Sequence, residues 1–391
     1  MYASLFGVLA VGPLLAQDAA PAAPAQTPAA AAPAAAPQTP APAPAAPAAN
    51  APAELPWSMG PIDFTGVVDG YYNANFNHPA SAYNQLYNFD VKANQFSLNM
   101  AKLSLSHAPD PLGFQVDFGF GRAFDIIHSG EKAPEIFRYL EQAYISLKPP
   151  KAKGFQVDFG EFVTSAGAEV IESYSNWNYS RSLLFAYAIP YYHFGVRTTI
   201  PIGKYFTGGV QVVNGWNNVE DNNSGKTVGI IGNFTTKKFT WSNNYYVGPE
   251  KDHTNTGLRN LFDTALLLTP NDNFNVYINY DYGSDKNIGP GSQIWEGIAV
   301  AGRVGFAKRF AITPRIEYFN DRIGFATGTK QTVKEFTLTG ECKFAQGLVS
   351  RLEYRHDWSN VPFYDRGTAP ASSTSMDTVT LAFIAFFGPK R

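Results

Sequence analysis

The segment Gly347-Leu-Val-Ser-Arg-Leu-Glu-Tyr-Arg-His-Asp357 decides how this chain is read. Its residues alternate with period two. Leu348, Leu352 and Tyr354 fall on one face of an extended strand, and Arg351, Glu353, Arg355 and Asp357 fall on the other. Ions are expensive in hydrocarbon, so the charged face must meet water while the apolar face can meet lipid. The neighbouring stretches repeat the pattern. Between Arg309 and Asp321, Phe310, Ile312, Ile316 and Tyr318 oppose Arg315, Glu317 and Asp321. Between Gln331 and Phe344, Phe336 and Leu338 oppose Glu335, Glu341 and Lys343. Pro314 lacks a ladder N–H, so a bulge or local irregularity is expected there.

Such runs recur from about Ile62 to Phe387, roughly sixteen in all. Gly-Phe-Gln-Val-Asp-Phe-Gly occurs twice, at 113–119 and 154–160, with Gln and Asp sharing a face each time. Connections alternate in length. Short ones lie near 108–111, 149–153, 202–204, 236–237, 270–273, 307–308 and 345–346. Long ones span about 73–92, 123–137, 163–189, 217–225, 248–257, 284–293, 322–330 and 360–373. Short turns on one side and long loops on the other are the asymmetry of outer-membrane barrels. The fold class predicted is all-β: a transmembrane, antiparallel, up-and-down β-barrel of about 16 strands, over 57–391, ending on a strand near Ser375 to Phe387. A secreted sandwich or propeller would need a dry inner face, and the ionic faces oppose it.

Aromatic residues mark two belts. Phe114, Phe155, Phe206, Phe239, Phe274 and Phe310 open strands after short turns. Tyr71, Tyr72, Trp216, Tyr245, Tyr246, Tyr282, Tyr318 and Trp358 lie toward the opposite ends.

The barrel is preceded by two further segments. Residues 1–16 include an apolar run from Leu5 to Ala16, too short to span a bilayer but suited to a signal peptide, although no Lys or Arg precedes Lys92. Residues 17–56 are nearly all Ala and Pro, which predicts an extended periplasmic linker without a core.

A barrel of this size is wide enough to hold water, so a channel is expected. The formal charge of −2 on 391 residues gives no pull toward nucleic acid. The six histidines, His78, His107, His128, His193, His253 and His356, are dispersed and lack metal-ligand spacing. No catalytic residue, metal site or cofactor is assigned, and no enzyme activity is expected. The inward parity assigns Asp117, Asp158, Arg197, Arg303, Arg315, Glu317, Glu335, Glu341, Arg351, Glu353 and Arg355 to the pore lining. Both signs are present, so no strong ion preference follows. A structural or adhesive envelope barrel and a barrel lipase are the alternative functions.

The loop at 163–189 is the longest inner connection. It is rich in small and aromatic residues and must bury Trp177, Leu183, Leu184 and Phe185. A short helix is expected over 166–172 with Ser165 as N-cap. The runs Val157-Asp-Phe-Gly-Glu-Phe-Val-Thr-Ser-Ala-Gly-Ala-Glu169, Asn176-Trp-Asn-Tyr-Ser-Arg-Ser-Leu-Leu-Phe185 and Pro190-Tyr-Tyr-His-Phe-Gly195 resemble the OmpL-like β-barrel porin family. The resemblance spans most of 57–391 and is strongest over 154–197. It implies an outer-membrane channel of Gram-negative bacteria for passive diffusion of small hydrophilic solutes and ions. By analogy with general porins, loop 163–189 would fold inward, with Glu161, Glu169, Glu172 and Arg181 as constriction charges. The partners implied are outer-membrane lipid, the permeating solutes, the barrel assembly machinery and a homo-oligomer.

Overall fold

The computed structural model describes residues 58–388, apart from 60, 132, 287–290 and 346. The expected signal peptide and linker lie outside the described residues. Eight strands form the first half of the wall: β1 (Ile62–Asn75), β2 (Gln95–His107), β3 (Leu112–Phe120), β4 (Leu140–Leu147), β5 (Gln156–Val163), β6 (Tyr192–Ile202), β7 (Phe206–Val213) and β8 (Thr227–Thr235). The second half comprises β9 (Phe239–Gly248), β10 (Arg259–Asn271), β11 (Phe274–Asp285), β12 (Gln293–Phe306), β13 (Phe310–Asp321), β14 (Gln331–Ala345), β15 (Leu348–Ser359) and β16 (Ser375–Phe387).

Each strand pairs antiparallel with the next, and β16 pairs with β1 from Thr378↔Asn75 to Phe387↔Gly66. The sheet is therefore a closed barrel of 16 strands, and closure removes both edges. The connections fall as the alternation of turn and loop lengths predicts.

The two faces separate cleanly. On β15, Leu352 is 58% exposed on the outer surface, while Arg351, Glu353, Arg355 and Asp357 are buried inside. On β13, Ile312, Ile316 and Tyr318 face out and Arg315, Glu317 and Asp321 face in. Phe206, Phe274, Phe306 and Phe310 form an outward belt at the short-turn end, and Tyr245, Tyr318 and Trp358 one at the other. Tyr71, Tyr246 and Trp216 depart from the expected belt and are buried. Tyr71 lies against Tyr179 of loop 164–191, and Tyr246 hydrogen bonds to Ser165 of that loop.

Pro314 produces no bulge. It pairs with Leu338 in unbroken register, and on its other side pairing with β12 skips Gly302 and Arg303 without a shift. The neighbour gives up two pairs, which accommodates the missing N–H without an inserted residue. Register shifts lie elsewhere, at Asp69/Gly70, Asp117/Phe118, Leu268/Asn271 and Lys343/Ala345.

The outward side chains predict a depth-dependent cost. Replacing Leu352 with Arg should lower unfolding free energy in lipid vesicles by roughly 2–4 kcal/mol, as for a charge near the bilayer midplane. The same change at Phe344, beside the turn, should cost less than half as much. Denaturant titration of both variants checks the order, and equal losses would show that Leu352 does not face lipid.

Candidate functional site

The hydrophobic core of this barrel lies inside its mouth. Leu86, Tyr87 and Phe89 from the loop after β1 meet Leu183, Leu184, Phe185 and Tyr191 from the loop between β5 and β6. A short helix after β3, α1 (Arg122–Ile127), adds Phe124 and Ile127. The β5–β6 loop, residues 164–191, folds into the lumen, and every residue from Asn178 to His193 is buried.

The local structure of this loop differs from the helix expected over 166–172. Gly167 has φ +90°, outside helical space, and the Ala168 N–H donates to Asn279 Oδ1 on β11 at 3.0 Å. The helical turn comes later, as α2 (Leu183–Tyr187), and its N-cap is Ser182, whose Oγ accepts from the Phe185 N–H at 3.0 Å. Gly297 on β12 makes room for it. A Cβ there would stand 2.6 Å from Leu184 Cδ2.

An irregular backbone inside a barrel has no ladder to satisfy it, so the wall must supply partners. Carboxylates take the loop's N–H groups. Glu353 accepts from Tyr179 and Ser180 at 2.6 and 2.8 Å, and Glu317 accepts from Leu183 at 2.8 Å. Guanidinium groups take the loop's carbonyls. Arg351 donates to Ser173 O at 2.6 Å, to Asn178 O at 3.1 Å and to Asn176 O. Arg355 donates to Arg181 O at 2.8 Å, and Arg315 to Ser180 O at 2.8 Å. Arg315 is fully buried among Glu169, Glu317 and Glu335, at 2.8, 3.0 and 3.0 Å. The loop continues past β15 to β1, two strands along the wall, where Tyr179 Oη and Ser173 Oγ donate to Asp69 at 2.9 and 2.6 Å.

The expected constriction residues take different places. Glu172 is the half-exposed one, and it pairs with Lys102 on β2. Glu169 accepts from the loop's own Ser182 N–H at 2.7 Å and binds Arg315. Arg181 is buried and donates to Val170 O and Ile171 O at 2.9 and 2.6 Å. It holds the loop to itself and meets no open water. Glu161 shares the parity of outward-facing Phe159, and its carboxylate lies 3.8 Å from His128 Nε2 beneath the loop after β3. Strand alternation after Gly160 carries it off the lumen face.

All eleven expected lining residues have inward parity. Arg315, Glu317, Arg351, Glu353 and Arg355 bind the loop directly, and Glu335 supports Arg315. Arg197 pairs with Asp158 at 3.0 Å, and Arg303 with Glu341 at 2.8 Å. Asp117 belongs to a knot that sequence reasoning missed. Lys102 Nζ lies 3.2 Å from Asp117, 3.0 Å from Glu141 and against Glu172. The three carboxylates could hold a cation, but the ammonium occupies the centre they surround. The alternation of Lys102 and Ser104 against Leu103 and Leu105 carried the signal for Lys102.

Two carboxyls in the outer loops are titratable near neutrality. Burial, with Glu353 nearby, pushes the Asp90 carboxyl up to about 7 against the pull of Arg355. Burial likewise pushes Glu250 up to about 7 against Arg259. Glu250 accepts the Trp216 N–H at 3.0 Å and the Thr227 hydroxyl, so it ties two loops together.

The sequence profile of the family described as beta-barrel porin-2, OmpL-like, matches residues 61–387. No curated protein matches the chain in sequence. Among solved structures it is similar to the outer membrane channel DcaP of Acinetobacter baumannii, at 12% identity and TM-score 0.56, over 83% of this chain and 97% of that one. It is similar to OprB of Pseudomonas putida, at 12% identity and TM-score 0.56, over 84% and 94%. OmpT of Vibrio cholerae aligns at 14% identity and TM-score 0.54, over 83% and 97%.

Two outcomes follow from the loop's anchorage. Arg351→Gln should free the 173–178 segment, since it removes the guanidinium that donates to three loop carbonyls and leaves Glu341 with Arg303 alone. Hydrogen exchange should rise at 173–178 while β15 stays protected, and unchanged exchange would contradict the anchoring role. For Asp90 and Glu250 the folded values lie above the ordinary values of 3.8 and 4.5. Their contribution is therefore complete below about 4 and lost as pH rises through about 7. Exchange at Asn84 and Trp216, corrected for intrinsic rates, should increase from pH 6 to pH 8, and Glu250→Gln should flatten the change at Trp216.

Proposed function

We propose, for a chain that belongs to the beta-barrel porin-2, OmpL-like family, an outer-membrane channel for passive diffusion of small hydrophilic solutes and ions, narrowed by loop 163–189. The family and the closed 16-strand barrel put the protein in the bacterial outer membrane, with lipid around its apolar face.

The observation that carries the constriction is the loop's anchorage across the lumen, from Asn244 on β9 through Arg315 on β13 to Asp69 on β1. The loop's hydrogen bonds to the wall run from β9 and β11 through β13 and β15 to β1, with Lys102 on β2 beyond, and the water path is assigned to the remaining side. There half-exposed Glu172 lies beside Lys102 and Asp117, the carboxylate to which inward-pointing Gln115 and Gln142 donate. Of the four constriction charges expected from sequence, Glu172 is the one this reading keeps in contact with solute. Glu169 and Arg181 fix the loop's shape instead.

Single-channel recording in planar bilayers tests the reading. Deleting 166–182 should enlarge conductance and admit larger sugars in liposome swelling. Glu172→Gln should shift the reversal potential in a salt gradient and leave conductance within about twofold. Parent protein that inserts but does not conduct would overturn the channel. Unchanged conductance in a heat-modifiable deletion variant would overturn the constriction alone.

A further inference from the structure

The short turns of this barrel are unlike its long loops in charge. Three consecutive turns, β4–β5, β6–β7 and β8–β9, carry Lys148, Lys151, Lys153, Lys204, Lys237 and Lys238 and no acidic residue. All six are exposed, and none is in an ion pair among the described residues. The long-loop end behaves differently. Three of its exposed basic residues are paired, Arg122 with Asp125 at 3.2 Å, Lys226 with Asp221, and Arg322 with Glu296 at 2.7 Å, and others stand next to an acid in sequence, Lys251 beside Asp252, Lys286 beside Asp285 and Arg366 beside Asp365. Two other short turns carry Asp110 and Asp272, and the β12–β13 turn, apart from this sector, carries Lys308 and Arg309. The six lysines therefore form an arc over one sector of one rim.

The level of this arc is fixed by the residues beside it. Leu147 precedes Lys148, Ile202 and Tyr205 flank Lys204, and Trp241 follows Lys237 and Lys238 by a few residues. Each of these apolar side chains is exposed on the outer surface, at the end of the lipid-facing band. Lysine amines at that boundary can lay their stems along apolar surface and hold the charge at phosphate depth. Unpaired like charges on neighbouring turns also repel one another, and an anionic surface relieves that repulsion.

We propose that this arc binds the phosphate groups of anionic phospholipids in the leaflet that meets the short turns, the periplasmic leaflet. The site is the rim sector from β4 to β9, and its ligand is a phospholipid with a net negative headgroup. The proposal rests on the outer-membrane barrel and not on the channel reading, so it stands or falls separately from conductance.

Trp241 is a reporter placed within this sector, and Trp358 is a lipid-facing control at the far end of β15. The experiment uses the full chain with Trp57→Phe and Trp358→Phe, reconstituted in vesicles of phosphatidylcholine with either dibrominated phosphatidylglycerol or dibrominated phosphatidylcholine. Bromine quenches tryptophan fluorescence on contact. Phosphatidylglycerol should be preferred at Trp241 by at least about fivefold, the ratio expected for one engaged lysine. Changing the six lysines to Gln should bring the ratio to about one, in protein whose heat-modifiable migration is unchanged. The Trp57→Phe, Trp241→Phe background, which keeps Trp358, should show no preference. Equal quenching at Trp241 in the parent background would overturn the proposal and leave the arc to a soluble polyanion. A preference that survives the six substitutions, or one equally strong at Trp358, would overturn it as well.

Discussion

No peptide group can stand unpaired in hydrocarbon, and the rest of this structure follows from that constraint. It forces the strands to close, through β16 on β1, and it forces every connection out of the lipid. The 164–191 loop meets the same rule in another place. Irregular backbone at membrane depth is tolerated only inside protein, so the loop had to find donors and acceptors on the wall. The charged inner face of β13 and β15 supplies them, acid to amide and guanidinium to carbonyl.

This use of charge explains why the ions are buried and not solvated. A buried pair adds little stability over an apolar substitute, because desolvation consumes most of the attraction. What it adds is a unique arrangement. Arg315 has three carboxylates and two Ser180 oxygens around it, a set that no other guanidinium has among the described residues. The apolar anchors alone would let the loop slide. Leu184 at Gly297 and Trp295 Nε1 on Ala188 O at 3.1 Å fix its depth, and the ions fix its rotation.

The wall was legible in sequence because its signal is local and periodic. Leu352 against Arg351 is settled by parity, and parity survives without knowledge of any partner. The loop's inward fold was legible from its apolar content. Its details were not. Whether Arg181 meets water or Val170 O depends on contacts between residues far apart in the chain, which no local pattern encodes. Glu161 misled for a related reason. It follows Asp158 closely, yet the odd spacing places it with Phe159 on the outer parity, under a loop from elsewhere. Lys102 was legible by parity, but its three carboxylates come from β3, β4 and the inner loop, and only the fold brings them together.

The loop also divides the lumen into two unlike walls. On β13 and β15 the inner charges are paired and desolvated by loop contacts, so they contribute little field to any remaining water. From β2 to β6 they keep partial access, as Arg197 beside Asp158 and Glu172 beside Lys102 do. In the channel reading, the balance of charge that a permeating ion meets is therefore not the balance of the inward-facing sequence. The guanidinium groups that dominate the pattern of β13 and β15 are withdrawn into the loop. The Lys102 knot, with one ammonium among three carboxylates, lies along the free wall, where ions in confined water are weakly screened from it. A long loop that needs its backbone satisfied thus determines, by what it covers, which residues of the barrel are left to act on solute.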